Sequence, residues 1–179
     1  LILASFRGGL QIFNPENKQF KVYTSQVGDT NSLNNNNLMA LAWVGKDTLL
    51  IGTYGGGLNI LNLRTLKFDH ISESNGLVNN AVYGIIYNGN GSVWLSTNNG
   101  LVNYHLYQKT FINFKPEHYL QSTEFNEGAF LKTNNGELLF GGVNGLNYFK
   151  PQNITFDTAS RAIYFTDVRG TFREKSPLR

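Results

Sequence analysis

The sequence predicts an all-β chain in which a small sheet recurs, and three observations predict it. Only 15% of the residues are charged, while 19 glycines and 24 asparagines fill the polar quota. That blend is poor in helix formers and rich in residues that tolerate positive φ, as short strands joined by tight turns require. A Gly-Leu pair recurs at Gly9, Gly57, Gly100 and Gly145, in steps of 48, 43 and 45, and a second landmark (Leu33, Leu77, Leu120) recurs in steps of 44 and 43. No window carries a sustained helical stripe; the apolar runs are short, rich in β-branched and aromatic residues, and punctuated by Asn and Gly. Four strands in a period of about forty-five residues describe one blade of a β-propeller.

The elements follow from aligning the repeats. Leu1–Asn14, Leu49–Asn62, Val93–Tyr104 and Leu138–Phe149 superimpose as sequences. Leu1–Phe6 then matches Val93–Thr97, the second strand of a blade, so the first blade lacks its innermost strand. The second blade starts at Leu38. The third runs through Val82–Tyr87, a turn at Asn88–Gly91, Val93–Thr97, Leu101–Leu106 and Thr110–Phe114. The fourth comprises Gly128–Lys132, Leu138–Gly142 and Leu146–Phe149, with its outer strand in Ile154–Phe156 or Ala162–Val168. Asn90-Gly91, Asn99-Gly100, Asn135-Gly136 and Asn144-Gly145 are turn dipeptides, since both residue types accept left-handed φ. Trp43 and Trp94 are expected to pack between blades. The expectation is a propeller fragment of about three and a half four-stranded blades spanning 1–153, whereas closed rings need at least about four blades. Such a fragment is not closed on its own, and further blades or a second copy would cover its faces. The sequence opens without a methionine, as if cut from something longer.

Composition excludes several functions. The net charge is +3, but the basic residues up to Lys150 stand alone, so no cluster matches a run of phosphates and no nucleic-acid partner is expected. With no cysteine, disulfides, thiolate metal sites and thiol catalysis are excluded. No stretch reaches the roughly eighteen apolar residues of a membrane span, and the first six residues lack the basic flank of a signal peptide. His70, His105 and His118 lie far apart, so no metal ligand set is assigned. Gly55-Gly56-Gly57 lacks the Lys-Ser/Thr of a phosphate loop and precedes a strand; it reads as a hairpin turn. No cofactor is expected.

Asn90-Gly-Ser-Val-Trp-Leu-Ser-Thr-Asn-Asn-Gly-Leu101 and Leu50-Ile-Gly-Thr-Tyr-Gly-Gly-Gly-Leu58 resemble the regulator propeller repeats of Bacteroides-type hybrid two-component sensors. Glu124-Phe-Asn-Glu-Gly-Ala-Phe130, leading into Leu139-Phe-Gly-Gly-Val-Asn-Gly-Leu-Asn-Tyr-Phe-Lys-Pro151, resembles the final blade of that family. Leu50 stands where the family usually has Trp, and Tyr119 where Gly is common. In the family that blade precedes an immunoglobulin-like domain named for three tyrosines. Residues 154–179 are accordingly either the last outer strand or the start of that domain. The resemblance implies a periplasmic sensor segment that recognises an oligosaccharide and signals to a cytoplasmic histidine kinase, in a parent that is a homodimer. No histidine here sits in a phospho-accepting box, so the kinase would lie outside this chain, which itself would be no enzyme.

Candidate ligand residues come from the connections before each inner strand: Asn35–Asn37, Asn79–Asn80 and Thr123–Asn126. In a propeller these gather at one mouth of the channel. Asn and Glu beside Tyr83 or Phe125 suit a sugar, with polar groups for hydroxyls and an aromatic face for ring C–H groups. Asn80, Tyr83, Asn126 and Glu127 are the candidates; the competing account is that Asn is simply the preferred turn residue. Glu124 and Glu127 are the one close carboxylate pair near that mouth, but three positions along a strand separate them by about 10 Å on opposite sides, a poor glycosidase geometry. No catalytic residue is assigned. A protein-binding scaffold, and a propeller-borne lyase or glycosidase, are the alternative functions. Asn90-Gly-Ser92 and Asn153-Ile-Thr155 match glycosylation triplets by chance.

Overall fold

The computed structural model describes residues 1–154. It contains four antiparallel sheets, each a meander in which sequence neighbours pair. The first holds β1 (Ile2–Ser5), β2 (Gly9–Asn14) and β3 (Gln19–Tyr23). The second holds β4 (Leu38–Val44), β5 (Thr48–Thr53), β6 (Leu58–Asn62) and β7 (Lys67–Ile71). The third holds β8 (Val82–Gly89), β9 (Ser92–Thr97), β10 (Gly100–His105) and β11 (Thr110–Phe114). The fourth holds β12 (Phe125–Lys132), β13 (Leu138–Gly142) and β14 (Gly145–Phe149). Among the described residues there is no α-helix, only three short 3-10 turns. The predicted all-β fold of three-and-a-half blades is therefore what the chain adopts, with β4, β8 and β12 side by side as innermost strands.

Alternation along each second strand builds the core. Leu49 and Ile51 point back towards the first sheet, into a core with Leu10 of β2, Leu33 of the connection and Phe68 of β7, while Leu50 points forward to Val82, Val93 and Leu95. On β9 the same rule sends Val93 and Leu95 backward and Trp94 forward. Each blade face thus becomes half of a core shared with its neighbour. At the two ends no described residue supplies a partner face. Leu3, which aligns with fully buried Ile51, is 37% exposed, and Leu146, which aligns with fully buried Leu58, is 53% exposed.

The structure corrects several expectations. Trp94 packs between blades, 5.3 Å from the Phe114 ring and 4.8 Å from Phe149, but Trp43 is 48% exposed. Trp43 pairs with Leu49 and so faces the first sheet, which has no innermost strand among the described residues to lie beside it. The fourth blade begins at Phe125, not Gly128: a register shift between Phe125 and Phe130 absorbs the intervening residues, as a bulge does. Of the Asn-Gly dipeptides only Asn90-Gly91 places both residues at positive φ; at Asn99, Asn135 and Asn144 the glycine alone supplies it. The outer strand of the fourth blade and the immunoglobulin-like reading of 154–179 lie outside the described residues, apart from Ile154, which packs against the third core.

Candidate functional site

The connections between blades and the loops joining second to third strands meet on one side of the fold. A repeated backbone bond holds them there. The anchor glycine amides of Gly9, Gly57 and Gly100 donate to the carbonyls of Asn36, Asn80 and Thr123, at 3.2, 2.7 and 2.6 Å. These acceptors occupy the same place, three residues after Leu33, Leu77 and Leu120. Each blade is therefore pinned to the connection that leads into the next.

The asparagines of these connections serve that frame. Asn35 Oδ1 accepts from the Asn37 amide at 2.7 Å and Asn79 Oδ1 from the Ala81 amide at 2.9 Å, two equivalent Asx turns. Asn36 Oδ1 accepts from the Ser25 amide at 2.6 Å. Asn80 Oδ1 accepts from the Glu73 amide while Glu73 Oε1 accepts from the Asn80 amide, both at 2.9 Å. Of the four candidates, Asn80 thus has its side-chain oxygen engaged in holding the connection.

Of the other three, Tyr83 and Glu127 are neighbours. Tyr83 is half-buried near the start of β8, and Asn126 and Glu127 are exposed in the bulged start of β12. Tyr54, on the loop after β5, completes the corner: it is 51% exposed and its ring lies 6.3 Å from that of Tyr83, tilted by 36°. The Tyr83 phenol is held above its ordinary value, chiefly by burial, then by the neighbouring Tyr54 phenol and by the carboxylates of Glu124 and Glu127. Tyr54 escaped the sequence reading, although the repeat carried a signal for it. It aligns with Phe6 just before the anchor glycine's turn, on the loops that share this mouth.

The corner brings together two partly exposed aromatic rings and the carboxylates of Glu124 and Glu127. No group of three metal-ligating side chains occurs among the described residues. A raised phenol value has a checkable consequence. The neutral phenol is favoured in the fold, so its contribution to stability is complete below the unfolded value of about 10 and is lost as pH climbs through the raised folded value. In an ultraviolet alkaline titration, the double variant Glu124→Gln/Glu127→Gln should ionise Tyr83 at lower pH than the parent. It should stay above the ordinary value, because burial is the larger cause. An unchanged titration would mean that the carboxylates do not face the phenol.

Comparison with known proteins places this geometry. No family model matches the chain. A histidine kinase of Formosa agariphila is 32% identical over 97 residues, covering 54% of this chain and 7% of that protein. Among solved structures, the extracellular domain of the hybrid two-component system BT3049 from B. thetaiotaomicron matches at TM-score 0.73 and 25% identity, over 87% of this chain and 21% of that one. The extracellular domain of BT4673 from the same organism matches at TM-score 0.69, over 89% of this chain and 24% of that one; at 19% identity it speaks for the fold alone. The resemblance to the propellers of hybrid two-component sensors therefore holds in structure as well as in sequence. The chain spans under a quarter of the length of each of these proteins. No helix among the described residues is long and apolar enough to cross a membrane.

Proposed function

We propose that this chain is the periplasmic, sensory part of a hybrid two-component sensor, and that it recognises an oligosaccharide at the mouth formed by Tyr54, Tyr83, Glu124 and Glu127. The observation that carries the ligand class is the tyrosine pair with carboxylates beside it. Aromatic faces suit the C–H surface of a pyranose, and carboxylates accept from its hydroxyls. The similarity to extracellular domains of hybrid systems supports the sensory role. Phosphotransfer then belongs to the cytoplasmic histidine kinase of the parent, and this segment does no chemistry itself. Ligand acts by binding one arrangement of the sensor better than another, and that difference sets how far signalling moves.

The partners proposed are the oligosaccharide and further blades of the parent ring, or a second copy, lying over the exposed faces around Leu3 and Leu146, in a parent that dimerises. Calorimetry with a panel of glycan fragments tests the reading. Binding should be seen, and Tyr83→Ala should weaken it by about tenfold, near 1.4 kcal/mol. Absence of binding across the panel, with a protein partner bound tightly instead, would replace it by the scaffold reading, which the apolar end faces favour.

A further inference from the structure

The three gaps between blades are filled differently. Between the first and second sheets, the preceding connection folds down over the outer strands: Asn31 Oδ1 accepts from the Phe68 amide at 3.0 Å, and the His70 ring bonds the Ser32 carbonyl at 2.8 Å. Between the third and fourth, Trp94 lies against Phe114 and Phe149. Between the second and third, the connection from β7 to β8 is shorter, and a groove of about 690 Å³ stays open, within the usual size range of ligand sites. It runs from Ile71 and Asn75, beside the β7–β8 connection, to the β4–β5 hairpin at Val44, Gly45 and Thr48, and none of Tyr54, Tyr83, Glu124 and Glu127 lines it.

Its walls are Tyr87, Tyr104, Tyr107 and Phe111, with Asp69 and Lys109 among them. The rings are held in place. Tyr104 stacks on Phe111 at 4.7 Å and 25°, and Tyr107 meets His105 edge-on at 5.8 Å. The Tyr107 phenol is held above its ordinary value, chiefly by its Tyr87 neighbour, whose hydroxyl in turn accepts from the Gly91 amide at 3.4 Å. Gly91 makes the space for this: at φ +82°, a Cβ there would sit 2.6 Å from the Tyr107 ring. Tyr107 nevertheless keeps 72% of its surface exposed, so a rigid aromatic face is presented to solvent.

We infer that this groove is a second binding site, for a neutral oligosaccharide, separate from the mouth. Asp69 and Lys109 carry opposite charges, so the walls hold no excess of either sign and offer an anion no cradle. Tyrosine hydroxyls and the two charged groups interrupt the apolar lining, which mismatches an acyl chain but matches a ring with one C–H face and a rim of hydroxyls. The inference rests on the carbohydrate reading above and adds a place to it.

The test is calorimetric titration of the full chain with maltotetraose, cellotetraose, laminaritetraose and xylotetraose, repeated on Tyr107→Ala, Asp69→Asn and the mouth variant Tyr83→Ala. Tyr107 is exposed on a turn, so its removal leaves the core intact. The expected result is a tetrasaccharide whose binding falls about tenfold in Tyr107→Ala and severalfold in Asp69→Asn, and persists in Tyr83→Ala. Binding that disappears in Tyr83→Ala alone would overturn the groove and leave the carbohydrate reading standing. Binding by none of the four would overturn both for these sugars.

Discussion

Gly100→Ala is expected to cost on the order of 3–5 kcal/mol, enough to unfold a marginal domain. Two independent demands meet at this residue. Its φ is +105°, a region where a side chain is strained by roughly 1–3 kcal/mol. A Cβ there would also land on the carbonyl oxygen of Phe114, the last residue of the outer strand β11. Backbone cannot swing aside as a side-chain tip does, so relief would require β10 and β11 to part or the amide bond to the Thr123 carbonyl to break. Gly9 and Gly57 repeat the arrangement with Tyr23 and Ile71, which is why the Gly-Leu pair marks the period at all. Gly89 supplies the control. Its φ is +91°, yet a Cβ there meets no described residue within 4 Å, so Gly89→Ala should lose only the backbone strain, about 1–3 kcal/mol. Urea midpoints compare the two; equal losses would show that conformation, not the clash, sets the anchor.

The period was legible because its cause is steric and local: a residue that must be glycine leaves a mark in the sequence. Strand positions followed from alternation, as at Leu49, Leu50 and Ile51, whose three side chains divide between two cores. What failed depended on neighbours. Trp43 and Trp94 are equally good core residues in isolation; what separates them is the innermost strand, which the sheet facing Trp94 has in β12 and the sheet facing Trp43 lacks among the described residues. The same holds for the site. The inner-strand placement of Tyr83, Asn126 and Glu127 follows from the repeat, whereas nothing in the sequence tells that the Asn80 side-chain oxygen accepts from the Glu73 amide. A polar side chain looks alike in sequence whether it faces solvent or its own backbone. The inter-blade groove had no sequence signal, since it arises from what the β7–β8 connection fails to cover.

One repeated position carries a second large effect and shows two solutions to one packing problem. The residue after each connection leucine lies over the residue after each Gly-Leu pair: Asn34 over Asn59, Val78 with Val102, Gln121 over Asn147. Where both are polar they bond. Asn59 Oδ1 accepts from the Asn34 amide at 3.0 Å, and Asn59 Nδ2 donates to Asn34 Oδ1 at 2.6 Å. Asn147 Oδ1 likewise accepts from the Gln121 amide at 2.9 Å. In the third blade both positions are valine and join the apolar core. Asn59 is fully buried, so Asn59→Val strands a donor and an acceptor on Asn34, at a cost of about 2–4 kcal/mol. The double variant Asn34→Val/Asn59→Val copies the third blade and removes the stranded side-chain oxygen. It still loses a partner for the Asn34 backbone amide and for the Gly56 carbonyl, which accepts from Asn34 Nδ2; the second loss is common to the single Asn34→Val. It should therefore be more stable than the sum of the single changes predicts, by about 1 kcal/mol or more in a double-mutant cycle. Strict additivity would mean that the two positions do not act as a pair, and that the matched valines of the third blade are unrelated to one another.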